Sequence, residues 1–225
     1  FKSEFKNKSF SNNIIKNIHK LLEEEDISHK IVNDLFDGVE SDLRNQVNLN
    51  TKKDLLIYSY RVAGTVGLMM AKILKIKNQK SLRCAVDLGV AMQLTNIARD
   101  VIEDKNRNRT YIKADFNSIS ATIFLADIFY QSSFMGIKNI PIFSRFAILV
   151  ARRIYRRIGY EILSQKNMEA YSKAGKIYVS VLGKAIETFF SFFDFIKLFF
   201  VNSGEHDKQI EHIMLHKEIN LDERI

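Results

Sequence analysis

Residues 87–104 read DLGVAMQLTNIARDVIED. Leu94, Ile97 and Val101 recur there at the three- and four-residue spacing of one helical face, which predicts a buried helix from about 82 to 104. The rest of the chain offers few points at which a strand could turn, because its 225 residues include one proline and nine glycines. An all-β protein needs turn signals far more often. We therefore predict an all-α fold.

Similar apolar patterns predict further helices on both sides of this segment. They cover residues 14–25, 31–43, 54–76, 121–134, 144–164 and 177–201. The polar stretches 48–53 and 104–120 are predicted as loops. A single core can serve a domain of up to about 250 residues. The predicted organisation is one helical domain over residues 1–201, followed by a polar C-terminal tail over residues 202–225.

Four oxygen-bearing side chains follow one stripe of the central helix: Gln93, Asn96, Asp100 and Asp104. Two carboxylates one turn apart repel each other by about 3 kcal/mol at an effective dielectric of about 20. Arg99 is expected to project from another side of the helix, so a divalent cation is the natural partner. Hard oxygen ligands favour Mg²⁺. The alternative is a solvated acidic helix end.

Arginines surround the same helix end at positions 99, 107 and 109. The guanidinium group is suited to bidentate contact with phosphate. Carboxylates for a metal beside arginines for phosphate predict a diphosphate substrate. The net charge of +8 also favours an anionic partner, which could be a phosphorylated small molecule, an anionic membrane surface or nucleic acid. No nucleic-acid-binding motif is recognisable, and we expect no such partner.

A second informative stretch is YSYRVAGTVGLMM at residues 58–70. Gly64 and Gly67, three residues apart, leave one side of the predicted helix without side-chain bulk. That space would admit either a neighbouring helix or an apolar substrate chain, with Val62 and Val66 lining the same groove. Both interpretations stay open at this point.

The predicted helix over residues 177–201 contains seven phenylalanines. Charged residues interrupt it, and each would cost about 2.5–3.5 kcal/mol in a bilayer, so we predict that it does not span a membrane. It is either a buried core helix or a helix that dips into one leaflet. Together with the cationic face of 144–164, it predicts a cytoplasmic protein in peripheral contact with the inner face of the membrane.

Cysteine and histidine are sparse. A lone cysteine, Cys84, indicates a reducing compartment. His212 and His216 lie one turn apart in the polar tail, but the preceding glutamate does not complete a His-Glu-x-x-His motif. We therefore expect them on an exposed helix.

Residues 58–70 and 87–111 closely resemble the two best-known motifs of the squalene/phytoene synthase family, especially its bacterial phytoene synthases. Weaker similarity at 35–43 and 154–159 extends the resemblance over most of residues 30–190. It implies an all-α isoprenoid-synthase bundle with a central apolar cavity. The implied reaction is head-to-head condensation of two geranylgeranyl diphosphates to phytoene, through a cyclopropyl diphosphate, in carotenoid biosynthesis. It would use Mg²⁺, with Mn²⁺ as the alternative, and no nicotinamide.

The resemblance also implies roles for individual residues. The implied metal ligands are Asp42, Asn96, Asp100 and Asp104. The implied catalytic residues are Tyr58, near the reacting carbons, together with Asp100 and Asp104. The implied substrate-binding residues are Gln93, Arg99, Arg107, Arg109 and Tyr111 near the diphosphates, and Val62 and Val66 along the prenyl chain.

Two departures from the family pattern stand out. No aspartate-rich motif precedes Asp42, so we expect the chain to be incomplete at its N-terminus and to lack the first helices of the bundle. The segment after Tyr111 lacks the usual Leu-Pro and Trp, which shortens the loop before the next helix.

Two other functions remain in competition with phytoene synthesis. One is a squalene or dehydrosqualene synthase that uses farnesyl diphosphate. The other is a non-catalytic family relative that acts as an assembly or scaffold protein. We expect a monomer or a weak oligomer in either case.

Overall fold

The computed structural model describes residues 2–7, 9–201, 206 and 209–225. The helices, in chain order, are α1 (Lys2–Asn7), α2 (Asn13–Glu24), α3 (His29–Asp42), α4 (Lys52–Ser59), α5 (Thr65–Ile73), α6 (Gln79–Arg99), α7 (Val101–Asn106), α8 (Phe116–Ser133), α9 (Ile142–Leu163), α10 (Met168–Ala174), α11 (Val181–Phe200) and α12 (Ile210–Ile219). Short 3₁₀ turns lie at Phe134–Asn139 and Leu221–Glu223. The predicted all-α fold is confirmed.

Helix α6 forms the centre of the bundle, and α5, α8 and α9 pack around it. Its side chains are apolar on several faces, and Val86, Val90 and Leu94 are fully buried. The glycines of α5 and α6 allow the two helices to approach closely. A methyl group placed on Gly67 would lie 2.3 Å from the carbonyl oxygen of Ala85. The predicted groove therefore does accommodate a neighbouring helix at Gly67.

A π-helical turn at Tyr60–Gly64 joins α4 to α5, so residues 52–73 run as one helical rod, close to the predicted 54–76. Within this turn the Thr65 amide donates to the Tyr60 carbonyl, five residues earlier. Such turns occur mostly inside α-helices and often at functional sites. This one lies between Tyr58 and Val66, two of the predicted site residues.

Two short strands pair in parallel, β1 (Val47–Asn48) with β2 (Arg109–Thr110). The Val47 amide donates to the Asn108 carbonyl at 3.1 Å. This pairing holds the segment after α7 beside the segment that follows α3. Residues that are distant in sequence thereby come together at one end of the bundle.

Several predicted boundaries were wrong for identifiable local reasons. The central helix does not run unbroken to Asp104, because Asp100 leaves helical geometry at φ −105° and ψ 15° and α7 restarts after it. Helix α8 begins at Phe116, earlier than predicted, because Asp115 caps it by accepting from the Ser118 amide at 2.8 Å. Helix α10 was not predicted at all.

The segment after α11 is not an exposed helix, contrary to the expectation for His212 and His216. Helix α12 packs against α4, and Leu215 and Ile219 join the main hydrophobic core. His212 is 1% exposed and His216 is half-buried. The start of the predicted tail, residues 202–205, lies outside the described residues. Apolar positions spaced four apart explain why this polar-looking segment is buried.

Candidate functional site

Asp42, Tyr58 and Tyr111 form a hydrogen-bonded group at the end of the bundle where β1 and β2 pair. Tyr111 donates to Asp42 Oδ1 at 2.8 Å and Tyr58 donates to Asp42 Oδ2 at 2.9 Å. The two phenol oxygens are 3.0 Å apart and the rings stack with centroids 4.7 Å apart. Arg109 adds a hydrogen bond from Nη2 to the Asp42 backbone oxygen at 3.1 Å.

The electrostatics of this group keep the phenols protonated. Burial raises the pKa of Tyr111 to about 12, and the carboxylate of Asp42 contributes to that rise. Burial, the hydrogen bond with Tyr111 and the charge of Asp42 also raise the pKa of Tyr58 well above its usual value. Both hydroxyls therefore act as donors that hold the Asp42 carboxylate in place, and neither can act as a base near neutral pH.

The Asp100 carboxylate forms an ion pair with Arg99, although the sequence predicted that it would have no basic partner on its face of the helix. Arg99 Nε and Nη2 donate to the two Asp100 oxygens at 2.8 Å each, a bidentate pair. The expectation that Arg99 projects from another side was wrong. Because α6 ends at Asp100, the carboxylate turns back towards its neighbour. This pairing raises the pKa of Arg99.

Residues of the unpredicted helix α10 and its exit segment support the same helix end. The Tyr171 hydroxyl donates to the carbonyl of Ala98 at 2.9 Å, and Lys176 Nζ lies 3.5 Å from Asp100 Oδ1. Lys176 also pairs with Glu103 at 2.9 Å. The sequence analysis missed both residues, and no periodic pattern around residues 168–176 points to them.

Asp104 is a half-buried carboxyl whose ionisation is disfavoured. Burial raises its pKa to about 6, and the charge of Asp100 adds to the rise, while Arg109 opposes it. The described residues provide no ion pair within 4.0 Å of the Asp104 carboxylate. The repulsion expected from the spacing of the two aspartates is therefore present, and a cation at this point would relieve it.

Asn96, one turn before Asp100, is a second side chain whose oxygen suits a cation. Its side-chain oxygen is shielded from solvent and has no hydrogen-bond partner. Buried polar atoms are nearly always satisfied in native proteins. An oxygen of this kind beside Asp100 and Asp104 fits the hard oxygen donors that Mg²⁺ prefers.

The predicted site residues are brought together in two groups. Asp42, Tyr58, Tyr111 and Arg109 form one, and Arg99 with Asp100 forms the other. In the part of the chain that the structure describes, the carboxylates of the three predicted aspartate ligands do not converge within 4.8 Å of one another. The remaining predicted residues lie around these groups: Gln93 is half-buried on α6, and Arg107 forms a surface pair with Glu103 at 2.8 Å.

An apolar cavity of about 330 Å³ lies between α5 and α6. Val62 and Val66 line it from one helix, and Leu88 and Met92 line it from the other. The predicted groove therefore has two parts. At Gly67 it is filled by the neighbouring helix α6, and beside Val62 and Val66 it remains open as a cavity. Met92 lies four residues before Asn96, so the cavity and the polar helix end share one helix.

Comparison with known proteins decides the family. A family model described as squalene/phytoene synthase matches residues 3–118, which is half of the chain and contains every predicted site residue. The chain belongs to the squalene/phytoene synthase family. Its similarity to individual members of the family covers more of the chain than this match does.

Curated members of the squalene/phytoene synthase family are similar over parts of the chain. The 15-cis-phytoene synthase of Paracoccus sp. is 36% identical over 174 residues, covering 67% of this chain and 57% of that protein. The phytoene synthase of Thermus thermophilus is 48% identical over 94 residues, covering 42% of this chain and 32% of that protein. The chain spans about half the length of the curated relatives that it matches.

A solved structure shows the same fold. A dehydrosqualene synthase in complex with ligand matches with a TM-score of 0.65 at 24% identity, covering 86% of this chain and 75% of that one. This confirms the helical bundle expected from the resemblance. At such identity the likeness concerns the fold alone.

Proposed function

We propose that this chain belongs to a prenyltransferase that joins two geranylgeranyl diphosphates head to head and forms phytoene through a cyclopropyl diphosphate. One observation carries the proposal. Helix α6 lines an apolar cavity with Leu88 and Met92 and, one turn later, presents Asn96, followed by Asp100 and Asp104. Four residues of helix span about 6 Å, so a diphosphate at the helix end could place its prenyl chain in the cavity.

The polar helix end would hold the diphosphate through complementary charge. Arg99 and Arg109 would donate to its oxygens, and Arg99 can exchange its bidentate contact with Asp100 for one with phosphate. Asn96, Asp100 and Asp104 would hold Mg²⁺, with Mn²⁺ as the alternative, and Asp42 would be a further ligand. When bound, the metal would neutralise the diphosphate and make it a better leaving group.

The apolar cavity would protect the reaction from water. Diphosphate leaves one substrate, the double bond of the other attacks the allylic carbon, and a proton is lost as the cyclopropane closes. A second loss of diphosphate, rearrangement and loss of another proton give phytoene. Val62 and Val66 would contact the prenyl chain. Tyr58 would act near the reacting carbons through its ring and its donated hydrogen bond, since it stays protonated.

Two other functions predict different results. A squalene or dehydrosqualene synthase would take farnesyl diphosphate in the same cavity. A non-catalytic relative would keep the fold without turnover. The curated relatives that are 31–48% identical are phytoene synthases, which supports geranylgeranyl diphosphate as the substrate.

Product mass distinguishes these functions. This chain, and any longer form of the protein that contains it, should be incubated with Mg²⁺ and each of the two prenyl diphosphates. We expect phytoene from geranylgeranyl diphosphate. A product from farnesyl diphosphate only would favour the squalene-type function. No hydrocarbon from the folded protein in any form would favour the non-catalytic relative.

We also propose that the outer face of α11 contacts a membrane surface. The described residues contain no helix that is long and apolar enough to cross a bilayer. Of the two alternatives for this helix, the buried core helix was wrong, because Ser191 and Leu198 are the residues of α11 that are buried. Six of its seven phenylalanines are exposed, with Phe189 at 62% and Phe200 at 81%, whereas Phe195 is half-buried.

Exposed apolar side chains should contribute more than positive charge to membrane binding by this surface. The arginines on the facing side of α9 are already engaged: Arg153 pairs with Asp194 at 2.6 Å, and Arg152 donates to the Tyr130 carbonyl. The cationic face predicted from the sequence is therefore largely neutralised by α11 and α8. Insertion of exposed rings is the contact that remains available.

Vesicle pelleting tests the membrane contact. Replacing Phe189 and Phe200 together by serine should reduce the vesicle-bound fraction of the protein at least tenfold, because burying one such ring contributes about 1.5–3 kcal/mol. Phe124→Ser is the matched control, since Phe124 is also exposed but lies on α8. Unchanged pelleting of the double variant, or equal loss in the control, would contradict the proposal.

A further inference from the structure

A buried cluster of histidine and aspartate lies where the C-terminal segment meets α6, at Asp87, far along the helix from Asp100. Asp87 Oδ2 is 2.7 Å from His206 Nε2 and 3.2 Å from His212 Nε2. The three ligand-type atoms all lie within 4.8 Å of one another. Ser132, on α8, donates to the same Asp87 oxygen at 2.5 Å.

The cluster is closed to solvent, and no lysine or arginine among the described residues pairs with Asp87. Asp87 is fully buried, and the side chains of His206 and His212 are 9% and 2% exposed. Among the described residues, the polar partners of Asp87 are the two imidazoles and the Ser132 hydroxyl. Burying a carboxylate in this way is costly unless a cation or an imidazolium compensates it.

One oxygen of the Asp87 carboxylate has no hydrogen-bond partner. Asp87 Oδ1 is buried without a hydrogen-bond partner, while its other oxygen carries all three contacts. Hydrogen bonds therefore satisfy only one of the two buried carboxylate oxygens, which is unusual in a native protein. Two imidazole nitrogens and a carboxylate are a common set of zinc ligands, with bonds of about 2.0–2.2 Å.

We propose that Asp87, His206 and His212 bind a structural Zn²⁺ ion that fastens the C-terminal segment to helix α6. The ion would accept the Nε2 lone pairs of the two neutral imidazoles, whose single ring protons would then lie on Nδ1, and would take a carboxylate oxygen as its third ligand. The Ser132 hydroxyl is within reach as a neutral fourth donor. Closed sites with protein ligands are typical of structural zinc, whereas catalytic zinc keeps an open position. Imidazole ligands favour zinc over Mg²⁺.

The surroundings of the cluster match a metal site of this kind. His216 stacks on the His206 ring with centroids 5.7 Å apart, and the Phe129 ring lies 4.6 Å from His212. These contacts hold the imidazoles in place. Since α12 carries His212 and packs against α4, the ion would tie the C-terminal segment to the core of the domain. The site is independent of the proposed prenyl diphosphate site.

Zinc binding by the untagged full chain tests this proposal. Competition with a chromogenic chelator should give one tightly bound Zn²⁺ per chain, and Co²⁺ in its place should show the visible absorption of tetrahedral coordination. Zn²⁺, but not Mg²⁺, should raise the unfolding temperature. His206→Gln should weaken the affinity for Zn²⁺ at least about 100-fold, more than loss of an outer-shell partner does.

Matched variants separate this site from the rest of the molecule. His29→Gln removes a histidine outside the cluster, and Asp100→Asn alters the proposed diphosphate site, so both should bind Zn²⁺ as the unchanged chain does. His206 lies outside the helices, so its replacement should not disturb the fold. Equal binding by His206→Gln, or no stoichiometric binding by the folded chain, would overturn the proposal. Asp100→Asn also makes failure of the proposed enzyme activity distinguishable from failure of this site.

Discussion

Asp104→Asn, in the form of the protein that makes phytoene, should lower phytoene formation about 100- to 1000-fold. Losses of this size follow removal of one group that stabilises charge in an active site. Asparagine keeps the size of the side chain and removes the charge that would bind a cation. Turnover is to be followed by product mass with geranylgeranyl diphosphate and Mg²⁺.

The same substitution should leave the fold as stable as before or stabilise it. The raised pKa of Asp104, about 6, means that the folded state disfavours the carboxylate. Above that pH the charge costs stability, and the cost is relieved as the pH falls from about 6 towards the unfolded value of 3.8. At neutral pH the gain is about 1 kcal/mol once solvent screening of a half-exposed group is allowed for.

Glu103→Gln is the matched control. Glu103 is adjacent and acidic, but it already pairs with Arg107 and Lys176 at the surface. It should keep most of the activity and lose at most about 1 kcal/mol of stability. If Asp104→Asn unfolded the domain, or if both variants lost activity equally, a metal-binding role for Asp104 would be wrong.

Gly89→Ala should destabilise the domain by about 2 kcal/mol. A methyl group there would lie 2.3 Å from the Ala63 carbonyl oxygen and 2.9 Å from the Gly64 Cα. Both are backbone atoms of the π-helical turn Tyr60–Gly64, so this turn and α6 must move apart. Overpacking of this kind costs about 3 kcal/mol, and the better helix propensity of alanine returns about 1 kcal/mol. The midpoint of urea unfolding measures the difference.

Gly159→Ala provides the comparison for this prediction. Its added methyl would meet the Cγ2 atom of Ile123 at 3.0 Å, so a side chain rather than a backbone has to shift, and by only a few tenths of an ångström. Alanine is favoured over glycine inside a helix, so this variant should be neutral or gain up to about 1 kcal/mol. If the two variants had equal unfolding midpoints, the close contact at Gly89 would tolerate an added methyl group, and the prediction for Gly89→Ala would be wrong.

The fold class and most helices could be predicted from the sequence because helical periodicity is local. Helices α2 and α3 begin and end within two residues of the predictions 14–25 and 31–43. Helix ends were less predictable, since caps such as Asp115 act through single hydrogen bonds.

Polar pairings were the least predictable feature of the site. The contact between Asp42 and Tyr111 joins residues 69 apart, and β1 and β2 bring them together. Arg99 and Asp100 are neighbours in sequence, but their bidentate contact depends on the helix break at Asp100. Spacing on an ideal helix could not reveal either arrangement.

The amino-acid sequence alone was enough to establish a helical bundle of the squalene/phytoene synthase family, with oxygen donors and arginines at the end of its central helix. Which of these side chains bind one another, and that His206 and His212 are largely buried, follows only from the packing of the whole chain. The reason is physical: periodicity within a segment selects the helix and its buried face. Packing between distant segments then selects which polar atoms lose water and which partners they find.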